Sequence, residues 1–223
     1  CSGDDDAAPK TTAGERSTRA GGTLTTLSLG PVLTWDPQRI ATRDDMAFAV
    51  RIFARTLTAY APGTSADEQS RLVGDLATDT GTPNDDFTQW RFTLREGAKW
   101  QDGTPVTCAD LAYGISRTFA TTVISGGSTD ALAVLDVPRG LDGSSTYRGP
   151  YDTSKANAAG QQAFSKAVSC TGSTITFHLS APTADFNEML TLPAFSPIKR
   201  AKDKGKDGTY AVFSAGPYTL EGD

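Results

Sequence analysis

The sequence predicts an α/β fold of the mixed (α+β) kind, because segments with the period of a strand and segments with the period of a helix are interspersed along the chain. In residues 90–94, Trp, Phe and Leu alternate with polar side chains, as in a half-buried strand. In residues 111–119, apolar side chains recur every four positions, as on one face of a helix. The chain has 223 residues, 38% of them hydrophobic, so it can bury a core as one large domain or two small ones.

The first part of the chain predicts a tether, a strand and a turn, in that order. Residues 1–21 are polar and lack any period, which indicates a disordered tether. Residues 22–30 are predicted to form the first strand, buried on both faces because the alternation of their apolar residues is imperfect. Residues 35–37 then predict a turn, since the proline at its end keeps the preceding aspartate out of the helical region.

Two helix starts carry capping signals. Thr42 and Thr107 are each followed three residues later by an aspartate, the arrangement in which a threonine caps a helix and the acid returns a hydrogen bond. The first of these helices has an apolar stripe that continues to residue 57. The second follows a turn in residues 101–105, where an Asp-Gly pair and a proline favour a reversal of the chain.

The second half of the chain predicts a further strand and a basic loop. Residues 174–179 alternate with Ile, Phe and Leu on one face, so His178, the only histidine, lies on the opposite, polar face. Residues 199–206 are rich in Lys and Arg, and we expect them to form a solvated loop.

Composition and motifs argue against several classes of function. A formal net charge of −5 and the absence of a long Lys/Arg run disfavour a nucleic-acid partner. No apolar run reaches the roughly 20 residues that a membrane helix needs. The chain has no G-x-S-x-G, H-E-x-x-H or phosphate-binding glycine motif, and one histidine without a C-x-x-C pair disfavours zinc. We therefore expect no enzyme activity, no cofactor and no metal site.

The pattern W-x-F-x-L-R-x-G-x-x-W-x-D-G-x-P-V-T-x-x-D in residues 90–110 carries a family resemblance. It resembles the signature region of solute-binding proteins of the peptide/nickel class, family 5, which are extracellular receptors of ABC importers. Leu33-Thr34-Trp35-Asp36-Pro37 looks like the turn after the first strand of that family, and Ala215-Gly216-Pro217-Tyr218 looks like its Gly-Pro-Tyr strand entry. Residues 71–77 look like a further family strand, with Arg71 in place of the usual proline.

The resemblance implies a periplasmic-binding-protein-like fold of class II, of which this chain holds an incomplete first lobe with an outer subdomain. Residues 1–21 would be the tether. Residues 22–59 and 171–223 would form the ligand-binding lobe, and residues 60–170 the outer subdomain. Because a cleft receptor buries its ligand between two lobes, we expect this chain alone not to bind ligand tightly.

The resemblance also implies a site. In peptide-binding members, the residues after the Asp-Pro turn line the first-lobe side of the cleft, which places Ile40, Ala41, Thr42 and Arg43 there. Arg43 either adds a charge contact to the ligand or is a solvated residue at the helix start. Trp35 either caps the cleft or packs under the turn, and packing is the favoured interpretation.

The function implied is that of a receptor that binds an oligopeptide or dipeptide and delivers it to ABC permease subunits. Alternatives are an oligosaccharide or nickel-chelate receptor, or a sensor or adhesion lipoprotein on the same fold that transports nothing. The genes beside this one would separate these classes, since two permeases and two ATPases accompany an importer.

The three cysteines fit an exported protein. Cys1 precedes a polar tail and looks like the lipidated residue of a mature bacterial lipoprotein, held at the extracellular face of the cytoplasmic membrane or in the periplasm; otherwise the chain starts at a cysteine by chance. Cys108 and Cys170 form an even pair, and in an exported protein such a pair is predicted to form a disulfide. In the chain-entropy model this disulfide would stabilise the fold by roughly 3–4 kcal/mol. Two buried, reduced cysteines are the alternative.

Overall fold

An antiparallel sheet with the strand order β3-β4-β6-β5 organises the computed structural model, which describes residues 25–27, 30–207 and 212–220. A second, two-stranded sheet pairs β1 with β2. The strands are β1 (Thr58–Tyr60), β2 (Leu72–Gly74), β3 (Thr82–Pro83), β4 (Gln89–Thr93), β5 (Val168–Thr171) and β6 (Thr174–His178).

Helices pack on the larger sheet and beside the smaller one. They are α1 (Arg43–Ile52), α2 (Ala66–Gln69), α3 (Cys108–Arg117), α4 (Asp130–Val134), α5 (Lys155–Ala167) and α6 (Phe186–Met189). Short 3-10 turns cover Pro37–Arg39, Pro193–Phe195, Arg200–Lys202 and Gly205–Asp207. The described residues from Val32 onward form one compact unit. None of the helices in the described ranges is long and apolar enough to span a bilayer.

The larger sheet buries one face, as the alternation in the sequence predicts. Trp90 lies opposite Phe177, and Phe92 opposite Ile175, in the register of β4 with β6. All four side chains are at most 3% exposed. The helices α3 and α5 cover this face and complete the main core, so both strand predictions are confirmed, and His178 lies on the other, half-buried face.

The N-terminus of α3 also follows the prediction. Thr107 accepts a hydrogen bond from the Asp110 N–H, and the Asp110 carboxylate accepts one from the Thr107 N–H, which completes a capping box. Gly103 has a φ of 81°, a conformation that favours glycine, in the turn before the helix. A disulfide joins Cys108, the first residue of α3, to Cys170 in β5, as predicted.

The first capped helix is shorter than its apolar stripe indicates. Thr42 caps α1, but the helix ends at Ile52 rather than continuing towards Leu57. The Phe53 carbonyl accepts hydrogen bonds from the Ala215 and Gly216 N–H groups, and residues 56 and 57 pair with residues 75–77. Long-range backbone pairing therefore overrides the helical period at this point.

The backbone of helix α3 packs directly against the backbone of the 193–198 segment at Gly114. A Cβ placed on Gly114 would lie 2.0 Å from the Ser196 carbonyl oxygen, so only glycine fits. The Ile198 N–H donates to the Asp110 carbonyl 3.0 Å away, on the same helix. The chain after α6 is thus fixed against the backbone of α3.

Several sequence expectations need revision. The strand expected in residues 22–30 lies largely outside the described residues, and residues 25–27 have no regular structure. The described residues 212–220 contain no strand, because the Tyr218 N–H bonds to Ile52 at the end of α1 instead. Residues 199–206 are not simply a solvated loop, since they contain two 3-10 turns and carry Asp203 into the interior.

The larger sheet contains strands from both sides of the boundary predicted between the outer subdomain and the lobe at residue 170. Strand β6 would belong to the lobe, whereas β4 and all of β5 except Thr171 would belong to the outer subdomain, yet β6 pairs with both strands. Likewise, β1 pairs with β2 across the boundary at residue 59. The apolar alternation of β6 matches that of β4, and this complementarity places the two strands side by side. The division into lobe and outer subdomain stays a prediction.

Candidate functional site

A buried polar cluster holds the Asp-Pro turn in place. We call it the Arg117 cluster, and its members are Asp36, Gln38, Tyr113, Arg117, Tyr151 and Asp203. The Arg117 side chain comes from the last turn of α3 and is 1% exposed. A buried guanidinium is costly unless every donor has a partner, so the arrangement of its neighbours decides whether this cluster stabilises the fold.

Arg117 binds the turn through a two-point contact. Its Nη1 donates to Asp36 Oδ1 at 2.8 Å and its Nη2 to Asp36 Oδ2 at 2.6 Å, the parallel geometry that suits a guanidinium and a carboxylate. Nη1 also contacts the Gln38 side-chain oxygen. The Asp36 carboxylate in turn accepts from the Gln38 N–H and caps the Pro37–Arg39 turn.

The remaining edge of Arg117 faces Asp203. The Arg117 Nε lies 2.9 Å from Asp203 Oδ2 and donates to the Tyr151 hydroxyl at 2.7 Å. The Tyr151 and Tyr113 hydroxyls both donate to Asp203 Oδ2, at 2.6 Å and 2.9 Å. The cluster thus joins α3 to the 199–207 segment as well as to the turn.

Charge and hydrogen bonding inside the cluster keep Arg117 and Asp203 charged. Burial opposes the charged form of Arg117, but hydrogen bonds to Asp36 and the charges of the two aspartates outweigh it and raise the Arg117 pKa. Burial also tends to raise the pKa of Asp203, and the Tyr151 hydrogen bond and Arg117 charge lower it overall. Burial and the Asp203 carboxylate raise the pKa of both tyrosines, so they stay protonated donors.

The same turn is also tied to the segment after α6. The Gln38 side-chain amide donates to the carbonyls of Ala194, at 3.4 Å, and Ser196, at 3.1 Å. Gln38 is buried, so both bonds are shielded from water. The turn is therefore held from two sides, by α3 and by the 193–198 segment.

Directly beyond this turn lies the stretch that the resemblance assigns to ligand contact, which we call the 40–43 ledge. Ile40 is 2% exposed and its side chain belongs to the smaller core with Phe53 and Ala49. Ala41, Thr42 and Arg43 are exposed. The structure therefore separates the four predicted residues into one anchor and three surface residues.

The ledge has a backbone suited to pairing. Ile40 has φ −68° and ψ 124°, and Thr42 has φ −85° and ψ 143°, both in the extended region. Within the described residues, the Ala41 N–H and C=O make no hydrogen bond. An exposed, extended stretch with open backbone groups can accept another extended chain beside it.

Trp35 packs against aromatic residues of the α1 region. Its ring centroid lies 5.9 Å from that of Phe48 and 5.9 Å from that of Phe53, both on or next to α1. The residue is 39% exposed, so part of it remains on the surface. Packing, the interpretation that the sequence favours, describes its main contacts.

Sequence reasoning missed Arg117, Asp203 and the tyrosines of the cluster. Arg117 is flanked by the apolar positions of α3, where a basic residue in a last helical turn is unremarkable. Asp203 lies in a run of basic residues that indicates solvent exposure. Among the described residues, no group of three or more His, Cys, Asp or Glu side chains could hold a metal ion.

Comparison with known proteins identifies the class of protein that this fold and turn belong to. A family model described as "Bacterial extracellular solute-binding proteins, family 5 Middle" matches residues 71–222. The match covers more than half of the chain, so the chain belongs to this family, which is one of binding proteins rather than enzymes. The predicted family and fold class are both confirmed.

Individual relatives are similar over parts of their length. The solved structure of "Clavulanic acid biosynthesis oligopeptide binding protein 2" has a TM-score of 0.74 and 32% identity, over 91% of this chain and 34% of that one. The periplasmic murein peptide-binding protein MppA of Escherichia coli is 36% identical over 78 residues, 31% of this chain and 14% of that protein. The periplasmic oligopeptide-binding protein OppA of Salmonella typhimurium is 59% identical over 34 residues, 15% and 6% of the two chains. The chain thus spans about a third of the solved relative and less of the other two.

Proposed function

We propose that this chain forms the first-lobe side of an extracellular receptor that binds an oligopeptide and delivers it to an ABC permease. The observation that carries the proposal is the extended backbone of Ile40 and Thr42 in the 40–43 ledge, between which Ala41 is exposed and its backbone groups are open. An extended peptide presents the complementary row of N–H and C=O groups, whereas an oligosaccharide or a metal chelate does not. Relatives named as oligopeptide-binding and murein peptide-binding proteins support the same ligand class.

The Arg117 cluster gives the ledge the rigidity that such a site needs. Main-chain pairing contributes affinity only when the backbone is already extended, because ordering a loop upon binding costs free energy. The turn before the ledge is fixed by a buried ion pair and by Gln38, and Arg43, the last residue of the ledge, is the first residue of α1. The ledge is therefore held at both ends.

Substitution of Ala41 by proline in the protein that contains this chain tests the site. Proline removes the open N–H while tolerating the extended conformation that Ile40 already has. Loss of one net hydrogen bond, about 1 kcal/mol, should weaken peptide binding about fivefold in calorimetry. The matched control is Ala66→Pro, at the exposed first position of α2, where proline is tolerated.

The ligand class is tested on the unmodified receptor. Native mass spectrometry of the protein purified from cells, followed by calorimetry with tri- to pentapeptides, should identify a peptide. Co-purification of an oligosaccharide or nickel chelate, with no binding of peptides, would replace the peptide by that ligand. Equal peptide affinities of wild type and Ala41→Pro would remove the ledge from the site while leaving the receptor function standing.

Two finer points belong to the same proposal. We place Arg43 beside a carboxylate of the ligand, so Arg43→Gln should weaken an acidic peptide more than a neutral one. We also place a lipid on Cys1, which lies outside the described residues. A mass spectrum of the N-terminal peptide from membrane-extracted protein, without a diacylglyceryl mass on Cys1, would remove the anchor.

A further inference from the structure

A second concave site lies apart from the 40–43 ledge. A cavity of about 660 Å³ is lined by residues that follow α3, by the 139–148 loop and by Tyr151 and Asp152. No residue of the ledge or of the Asp-Pro turn lines it. Small-molecule sites commonly have volumes of about 300–1,000 Å³, so this cavity is large enough for a ligand of its own.

The floor of this cavity is aromatic and fixed. The Tyr147 ring lies 5.4 Å from that of Phe119 and 4.8 Å from that of Phe164 in the core behind it. Tyr147 is buried. The residue after it, Arg148, donates its backbone N–H to the side-chain oxygen of the buried Asn157 at 2.7 Å. Tyr147 is only 3% exposed, so a ligand would meet the edge of a ring that does not need to be ordered upon binding.

The rim is cationic although the whole chain is acidic. Three cations line the cavity, Arg139, Arg148 and Lys206, against the lining carboxylate of Asp152 and the nearby Asp142, which interacts with Arg148, so one positive charge remains in excess. The formal net charge of the chain is −5, so this local excess opposes the overall balance. Such a concentration of one sign in a concave site attracts ions of the other sign.

The arginines are positioned but not neutralised by their contacts. The Arg139 guanidinium donates to the carbonyls of Leu132 and Gly143, which are uncharged acceptors. Arg148 lies 3.7 Å from Asp152 and also interacts with Asp142, but its side chain is 64% exposed, so it stays accessible to a ligand. An anion at the rim would therefore find oriented donors with their charge still available.

We infer that this cavity binds a small organic anion, with its carboxylate or phosphate at Arg139 and Arg148 and its apolar body against Tyr147. The exposed edge of Tyr147 favours an organic ion over a fully hydrated inorganic one, because only the organic ion covers apolar surface there. The cationic rim excludes an organic cation of the same shape. The site lies apart from the 40–43 ledge and shares only Tyr151 with the Arg117 cluster that supports the ledge.

Phenylacetate and phenyl phosphate are the probes, with benzyl alcohol and benzylamine as neutral and cationic analogues of similar shape. Calorimetry and ligand-observed saturation-transfer NMR on the full protein should show saturable binding of the two anions and weaker binding of the analogues. Arg139→Gln and Arg148→Gln should each weaken the anions about two- to fivefold, the range for exposed charge pairs. Asp152→Asn, which removes the opposing charge, should strengthen them.

Lys166→Gln is the matched control, since Lys166 is an exposed cation on α5 that does not line the cavity. It should leave the affinities unchanged. The inference is overturned if no anionic probe binds saturably at millimolar concentration, or if benzyl alcohol binds as well as phenylacetate. It is equally overturned if Lys166→Gln weakens binding as much as Arg148→Gln does.

Discussion

The apolar face of the larger sheet and the Arg117 cluster are both buried, but they are assembled in different ways. The sheet face joins β4 and β6 through side chains that alternate within five residues of each strand. The Arg117 cluster joins residues 36, 117 and 203, which come from three separate parts of the chain. Local periodicity therefore encodes the first region, whereas the second depends on complementarity between distant residues.

The two regions should also respond differently to substitution. Truncation of one apolar side chain leaves a cavity, and the cost grows gradually with the volume lost. Removal of one partner from a buried ion pair leaves the other charge buried without compensation. A single substitution therefore loses most of the stability that the pair contributes. The following experiments test this difference, beginning with the largest expected effect.

Arg117→Met should be the most damaging substitution, because it leaves Asp36 and Asp203 buried without their cation. We expect a loss of about 3–5 kcal/mol in the free energy of unfolding, measured with urea. Arg148→Met, in which the arginine is largely exposed, is the control and should cost less than about 1 kcal/mol. Adding Asp36→Asn and Asp203→Asn to Arg117→Met should recover part of the loss, and no recovery would contradict an electrostatic origin.

Reduction of the Cys108–Cys170 disulfide should have the next largest effect. The bond closes a loop with a sequence separation of 62 residues, and the chain-entropy model gives about 3–4 kcal/mol for such a loop. The melting temperature should fall upon reduction and should not respond to metal chelators. An unchanged melting temperature after complete reduction, verified by thiol titration, would show that the native contacts alone fix the start of α3 against β5.

Thr107→Ala should cost about 1 kcal/mol by removing the cap of α3. The apolar contacts of the helix remain, so the loss tests how much local capping adds to tertiary packing. Thr64→Ala, at an exposed position before α2, is the matched control and should change the unfolding free energy by less than about 0.5 kcal/mol. Similar losses for the two variants would mean that the capping box contributes nothing.

Acid titration of the wild type and Asp203→Asn should show the smallest effect. We expect it in the slope of stability against pH below about pH 4. The folded-state pKa of Asp203 is lowered, so its contribution is fully present above the unfolded value of about 3.9 and is lost as the pH falls through the folded value. Wild-type stability should therefore decline below about pH 4 more steeply than that of Asp203→Asn. Parallel declines would show that Asp203 does not contribute through its charge.

The elements that could be predicted from sequence are those with local causes. The alternation in β4 and β6 and the threonine cap of α3 each depend on neighbours within a few residues. The end of α1 at Ile52 could not be predicted, because its cause is pairing with residues 215–218. The pairing of Arg117 with Asp36 and Asp203 could not be predicted for the same reason. Nothing in the sequence near these residues indicates a buried partner 81 or more positions away.

For the candidate site, the resemblance supplied a position but not the roles of its residues. The resemblance placed the 40–43 ledge after the Asp-Pro turn, and that placement stays a prediction until a ligand is bound. It did not distinguish the buried Ile40 from the three exposed residues beside it. That distinction depends on the smaller core, whose Phe53 and Ala54 contacts are made only in the folded chain.

The Cys108–Cys170 disulfide also changes what happens when the chain is cut. Leu141 is fully exposed in the loop of residues 139–145, the kind of segment that proteases cleave first. This loop lies between the two cysteines, so a single cut there leaves both pieces covalently joined. A nicked molecule would run as one species on a non-reducing gel and as two on a reducing gel. A receptor exposed outside the cell could in this way survive a cut that would separate the pieces of a reduced protein.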